Sequence, residues 1–523
     1  MKINIKLYQG NVLSSLSKIA DNSVDCVVTS PPYYALRNYN AVGSYADTNK
    51  EVVEQKMAED IAWYKEHYPA YTYNLSPVIQ METINEETGE KALLWHGSVR
   101  FDTGTIWDAL PGCAHEWIAH KQPARDGVAK SSIVSANMEF EANNRGHTTI
   151  TNFCSKCDAW RGDLGLEPDF NMYLNHLLQV TSELYRILKP TGTLWWNIAD
   201  SYAGNMGKRS GWSYNKNTNN EQAQNDGTAI SLKAKYSMPD KCKMQIPERL
   251  STRMVDEQHW ILRNDIIWEK PNHMPSSVKD RVSPGYEHIY FFVKSKHYFF
   301  NLDAIREEYA AVSIDRAKYA VQSFQAYGNL KNATGYTTDK LALLNEGGKN
   351  PGDIWRITNK PFKDAHFATF PPDLPERCMK AGASNEVCIK CGKPKMIKLV
   401  FDKYVDSRNG ETVEEPLRHT EAPKYENHMN LSQTSSLRTG VKKTYRQEYV
   451  PTCACGAAFI PPTILDPFAG SGTTLMAAKE AWYSSIGIEL NPSYVEMIKT
   501  RLYWGAGFGN IEWSYEADGK VSP

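Results

Sequence analysis

The stretch TILDPFAGSGTTLMAAKEAWYSSIGIEL, residues 463–490, decides the fold. It divides into a short apolar strand, a turn carrying Gly470 and Gly472, a helix, and a second apolar strand ending at Glu489. Strand, tight turn, helix and strand in that order make a parallel α/β unit. Glycines at the end of the first strand let the backbone come close to a ligand, because no Cβ stands in between. A carboxylate at the end of the second strand, nineteen residues after Gly470, suits the two hydroxyls of a ribose.

Four readings compete for this turn. A phosphate-cradling loop needs Gly-Lys-Ser/Thr, and the lysine is missing. A dinucleotide fingerprint, the mark of a nicotinamide oxidoreductase, wants glycine where Leu475 stands. A plain tight turn explains the glycines but not their company with Asp466 and Glu489. The remaining option is an adenosyl ligand without a diphosphate, S-adenosylmethionine.

Working outward, strand and helix alternate toward the N-terminus as well. Residues 1–34 read as strand (INIKLYQGN), helix (VLSSLSKIADNS) and strand (VDCVVTS). FNMYLNHLLQVTSELYRILKPTG carries apolar residues at helical spacing until Pro190 and Gly192 stop it, and the strand TLWWNIADSY follows. The helix PERLSTRMVDEQ and the strands WILRNDIIWEK and YEHIYFFVKS come next. Polar stretches without period separate these units: 41–150, 204–227 (a mobile loop by composition), 301–360 and 402–450. The expected division is core at 1–40, an insertion at 41–165, core at 166–300, an unpatterned region at 301–360, a short segment at 361–385, a module at 386–458 and core again at 459–523. The expected fold class is α/β, a doubly wound Rossmann-like sheet.

The strand VDCVV runs into TSPPYY, residues 29–34. Prolines end a strand because they cannot donate to its ladder, so a turn is the bland explanation. A chemical one is available. An exocyclic amine on a nucleobase is a poor nucleophile, since its lone pair is delocalised into the ring. A site that methylates it should hold the amine hydrogens with acceptors and free the lone pair toward the donor. Ser30 offers a hydroxyl oxygen, Pro31 a carbonyl in restricted geometry, and Tyr33 a flat face for an extruded base. For Tyr34 and Arg37, packing and a surface charge are as good a reading as contact with substrate, whereas Trp195 and Trp196, in mid-strand, read as core rather than as stacking platforms. Methylation at a cytosine ring carbon needs a Pro-Cys nucleophile. No cysteine here follows a proline, and Cys26, inside VDCVV, reads as a small core residue.

The chain has 523 residues, a formal net charge of −1 and 41% hydrophobic residues, enough for a large core and neutral on the question of a polyanionic partner. The basic run SSLRTGVKKTYR (435–446) suits a solvated loop or phosphate contact. With no apolar run long enough to span a membrane and no secretory pattern at MKINIKLYQG, a cytoplasmic protein without membrane partners is expected. Seven of the ten cysteines, with His115, form short-spaced pairs: Cys113-x-His115, Cys154-x-x-Cys157, Cys388-x-x-Cys391 and Cys453-x-Cys455. In such a compartment zinc is favoured over disulfides, and four soft ligands close a tetrahedral structural site. Two zinc sites, Cys113/His115/Cys154/Cys157 and Cys388/Cys391/Cys453/Cys455, would clip the insertions and take no part in chemistry.

TSPPY followed far downstream by DPFAGSGTT resembles the site-specific amino-methylating (N4-cytosine or N6-adenine) DNA methyltransferases, in the group whose catalytic motif precedes the cofactor motif. GTLWWNIADSY, IIWEKPNHMPSS and HIYFFVKS resemble the intervening core strands, and AHFATFPPDLPERCMKAG the segment that closes over the cofactor's methionine end. The resemblance implies a methyltransferase sheet with S-adenosylmethionine held by Asp466, Phe468, Gly470, Gly472 and Thr473, with Glu489 on the ribose and Phe367 and Thr369 nearby. It implies a base pocket of Ser30, Pro31, Pro32 and Tyr33. The regions 301–360 and 204–227 are the candidates for reading the target sequence. The expected partner is double-stranded DNA; a cognate restriction endonuclease is left open. Asp at position 30 goes mostly with adenine in that family and Ser mostly with cytosine, so N4-cytosine is favoured, with N6-adenine the alternative. A zinc-containing DNA-binding protein with an inactive fold is the rival from another class.

Overall fold

The computed structural model describes residues 2–34, 41–121, 148–203, 238–313, 348–359, 370–406, 412–413 and 441–522, except 70, 77, 85–90, 103, 240, 274, 277, 506–508 and 518–519. Arg37, Phe367, Thr369, the stretch 204–227 and most of 301–360 and 407–440 lie outside the described residues.

Ten strands form the central sheet: β1 (Ile3–Gln9), β2 (Val24–Thr29), β3 (Leu188–Ile198), β4 (Ile261–Glu269), β5 (Tyr286–Val293), β6 (Ile354–Arg356), β7 (Thr463–Asp466), β8 (Ser484–Glu489), β9 (Ile511–Ala517) and β10 (Lys520–Ser522). Their spatial order is β6-β4-β5-β3-β2-β7-β8-β1-β9-β10. The centre, from β3 through β2, β7 and β8 to β1, is parallel, and β5 runs antiparallel between β3 and β4. Every residue of β2 is buried, as a strand covered on both faces must be. Alternate side chains serve opposite cores: Val27 joins one apolar cluster, Cys26 and Val28 the other. Trp196 and Trp195 divide in the same way and are core residues, as expected.

Helices cover both faces. Helix α1 (Val12–Leu16), α3 (Phe170–Ile187) and α4 (Ile246–Gln258) supply Leu16, Leu177 and Leu250 to the first cluster. Helix α5 (Asp373–Gly382) and α6 (Thr473–Glu480) supply Leu374, Cys378 and Ala477 to the second. Asp169 caps α3, accepting from the Asn171 N–H, and Asn491 caps α7 (Pro492–Leu502) through the Ser493 N–H. The doubly wound sheet expected from the strand-helix rhythm is present.

The excursions are more regular than their composition suggests. In 41–102, α2 (Lys50–His67) lies on an antiparallel sheet built around the strand Lys91–Asp102. Only Val53, Met57 and Tyr64 of its eighteen residues are buried, too few for a visible helical period. A Cβ on Gly97 would sit 2.3 Å from Met57 Sδ, so the helix rests where that strand has no side chain. The stretch read as polar at 402–450 includes one arm of an antiparallel pair, Lys395–Asp406 with Val441–Pro451. Among the described residues, no helix is long and apolar enough to cross a membrane.

Candidate active site

From β2 the chain continues to β3 on one side, and from β7 to β8 on the other. Neighbouring parallel strands that part in this way leave a crevice at their carboxyl ends, where α/β sheets bind ligands. Ser30-Pro-Pro-Tyr33 leaves the end of β2, and Asp466 ends β7. Thr29 Oγ1 donates to Asp466 Oδ1 at 2.7 Å, and the Phe468 N–H donates to the same oxygen at 3.1 Å. One buried carboxylate thus joins two motifs 437 residues apart. Burial raises its pKa to about 6 against those hydrogen bonds.

Gly470 and Gly472 both take left-handed backbone, with φ of +51° and +80°. The conformation turns the chain from β7 into α6 and aims the Gly470 N–H at Glu489, whose Oε2 accepts it at 2.7 Å. Glu489 Oε1 accepts the Asn491 N–H at 2.8 Å. Desolvation nevertheless dominates, and Glu489 is pushed up to about 7. A Cβ on Gly472 would lie 2.9 Å from Ile498 Cγ1, so that glycine also seats α7.

A single cavity of about 580 Å³ opens at these strand ends. Phe468, Gly470, Thr473 and Glu489 line it, and so do Ser30, Pro31, Pro32 and Tyr33. Both motifs therefore face one space. Asp466 and Gly472 are not in its lining and act by shaping the loop. Pro32 O accepts from Tyr173 Oη at 2.8 Å, and Tyr34 is buried with its ring 5.4 Å from that of Tyr173, a packed position.

Among the lining residues that went unmarked in the sequence are Asn197 on β3, Lys270 just past β4 and Glu287 on β5. Tyr33 Oη meets all but the lysine directly, with Ser30 Oγ at 3.1 Å, Asn197 Oδ1 at 3.1 Å and Glu287 Oε2 at 2.6 Å. Lys270 Nζ pairs with Glu287 Oε1. The available signal was a polar or charged side chain placed near one end of each apolar strand, which reads as ordinary solvation until the strand order brings the ends together.

The cysteines assemble as two groups, Cys113/His115/Cys154/Cys157 and Cys388/Cys391/Cys453/Cys455, with the ligand atoms of each within 4.8 Å of one another. The first lies beside the cavity wall. Trp107 and Trp160 stack on the buried His176 of α3 at 4.5 and 5.6 Å. His176 contacts Glu167 at 2.9 Å and Asp108 at 3.2 Å. Glu167 also accepts the Gly165 N–H at 2.7 Å, and a Cβ on Gly165 would lie 3.0 Å from Tyr33 O. The segment next to the first cysteine group thus backs the Pro32-Tyr33 loop.

Comparison with known proteins agrees with this construction. The family model described as DNA methylase, N6_N4_Mtase, matches residues 24–405 and 462–500. The Type II methyltransferase M.Cfr9I of Citrobacter freundii is 28% identical over 340 residues, covering 65% of this chain and 74% of that protein. The Type II methyltransferase M.SmaI of Serratia marcescens is 25% identical over 343 residues, covering 65% and 77%. The PvuII DNA methyltransferase (cytosine-N4-specific) superposes loosely, with a TM-score of 0.39 and 12% identity over 96% of this chain and 88% of that one. With its two motifs joined at one crevice and the family model spanning most of its length, the chain belongs to the N6/N4 DNA methylase family and is a site-specific, S-adenosylmethionine-dependent DNA methyltransferase.

Proposed function

We propose that the chain methylates N4 of cytosine in double-stranded DNA, extruding the base into a pocket formed by Ser30, Pro31, Pro32 and Tyr33. The observation that carries this is Ser30 itself: an uncharged hydroxyl lining the same cavity as Glu489 and Gly470, at the position where the family resemblance associates serine with cytosine. The base would stack on Tyr33 and give its amine hydrogens to Ser30 Oγ and Pro31 O. Glu489 would take the ribose hydroxyls of S-adenosylmethionine, and the bare backbone at Gly470 would admit its methionine end beside Phe468 and Thr473. The donor supplies an electrophilic methyl group, and the protein orients the amine toward it. Tritiated S-adenosylmethionine should label duplex DNA with the native protein. Ser30→Ala should lose that label while binding the cofactor normally; full labelling by Ser30→Ala would overturn the pocket assignment.

The two cysteine groups fit structural zinc. Bonds of about 2.3 Å place tetrahedral sulfurs about 3.8 Å apart, close to the spread of both groups. Each Cys-x-x-Cys turn is followed by a left-handed residue, Asp158 (φ +57°) and Gly392 (φ +68°), which curls the backbone around the thiols. The Lys156 N–H points at Cys154 Sγ at 3.4 Å, as a thiolate acceptor would require. Four protein ligands leave no open position, so both ions would be structural. The Type II names of the relatives make a cognate endonuclease the partner to seek, by assaying cleavage of DNA that the enzyme has or has not modified.

A further inference from the structure

The hydrogen bonds at Tyr33 have a direction. A phenol has one proton, and two oxygens compete for it, Glu287 Oε2 at 2.6 Å and Asn197 Oδ1 at 3.1 Å. Asn197 is held in this orientation because its Nδ2 donates to His288 O at 3.1 Å, which turns the amide oxygen toward Tyr33. The carboxylate is the nearer and the charged acceptor, so the phenol proton lies toward Glu287. Tyr33 Oη is then left to accept, and Ser30 Oγ donates to it at 3.1 Å. With its only proton committed, Ser30 Oγ offers lone pairs alone to the cavity. Lys270 holds the far oxygen of Glu287, and the two side chains are only 17% and 12% exposed, so the pair is shielded from competing water.

We propose that Glu287, oriented by Lys270, is the terminus of a proton relay that runs from the target amine through Ser30 and Tyr33. The proposal rests on the base pocket described above and adds a destination for the proton. In the transfer, the amine nitrogen's lone pair forms the new N–C bond, and the C–S bond pair stays on sulfur, leaving a neutral thioether. The nitrogen becomes cationic and, attached to an electron-poor ring, strongly acidic. Its N–H pair returns to nitrogen as the proton passes to Ser30 Oγ. The Ser30 proton moves to Tyr33 Oη and the Tyr33 proton to Glu287 Oε2, which later releases it to solvent. Before transfer, the same polarity makes Ser30 an obligatory acceptor for the amine, which keeps the nitrogen lone pair available. Glu287 positions Ser30 through Tyr33 and receives the proton.

Three variants test the relay. Tyr33→Phe keeps the stacking face and removes Oη. Glu287→Gln keeps an acceptor but brings an N–H that can reverse the chain, and Glu287→Asp restores the carboxylate. Single-turnover methyl transfer to duplex DNA should fall roughly a hundredfold in Tyr33→Phe and Glu287→Gln. Affinity for S-adenosylmethionine, which reports the fold, should be unchanged, and Glu287→Asp should recover part of the rate. Native rates in Glu287→Gln, or no difference between Glu287→Gln and Glu287→Asp, would overturn the relay and leave the pocket standing. A native protein that transfers no methyl to DNA would overturn the reading beneath it, and the relay with it.

Discussion

Replacing Glu489 by glutamine should weaken S-adenosylmethionine binding by a factor that follows from its hydrogen bonds. The native carboxylate accepts one backbone N–H on each oxygen, from Gly470 and Asn491. Glutamine has one oxygen, so one of these buried N–H groups faces an amide N–H instead, a cost of about 1–3 kcal/mol to the fold that is carried with or without cofactor. Loss of the charged acceptor for the ribose costs binding itself roughly 1.5–3 kcal/mol. At about 1.4 kcal/mol per tenfold, the expected weakening lies between roughly tenfold and 150-fold. The native protein should also show a pH dependence that the variant lacks. Burial puts Glu489 at about 7, so below neutrality the free protein holds a proton there that must leave before the carboxylate can accept ribose hydroxyls. Affinity should therefore rise with pH from 5.5 to 8, most steeply below 7. The raised pKa has the opposite consequence for folding: the group's contribution is most favourable below the unfolded carboxyl pKa, about 4.3, and is lost as pH rises through about 7. Calorimetric titration of both proteins across this range measures the effect. Equal affinities, or a native affinity flat with pH, would refute the assignment of Glu489 to the ribose.

Gly472→Ala should lower the melting temperature, because a Cβ must fit at φ +80° and 2.9 Å from Ile498; a cost of about 1–3 kcal/mol is expected by thermal denaturation. Elemental analysis should return two zinc ions per chain, and one in a Cys388→Ser/Cys391→Ser variant; chelation should lower stability without creating a metal-dependent step in methyl transfer. His176→Ala should destabilise by about 3–5 kcal/mol in urea, since it removes both tryptophan stacks and leaves the buried Glu167 with only the Gly165 N–H.

The parts of this protein that were legible from sequence are those whose chemistry is local. The β7–α6–β8 unit shows itself because its strand, glycines and acid occupy one short stretch, and SPPYY because two prolines and two tyrosines at a strand end are unusual. The cysteine pairs show by spacing. Asn197, Lys270 and Glu287 did not show, because each lies at or near the end of a strand and becomes part of a site only when β3, β4 and β5 lie side by side. The helix α2 was hidden for a different reason, having only three buried positions among polar neighbours. The pair Lys395–Asp406 and Val441–Pro451 was hidden because its strands find each other across a polar excursion. The His176 network joins Asp108, Glu167 and α3, and no spacing in sequence announces it.

The most direct measurement is mass spectrometry of nucleosides digested from duplex DNA after incubation with the protein and methyl-deuterated S-adenosylmethionine. Labelled N4-methylcytosine is the expected product. Labelled N6-methyladenine as the sole product would contradict the Ser30 assignment, and the absence of any labelled nucleoside would contradict methyl transfer to DNA itself.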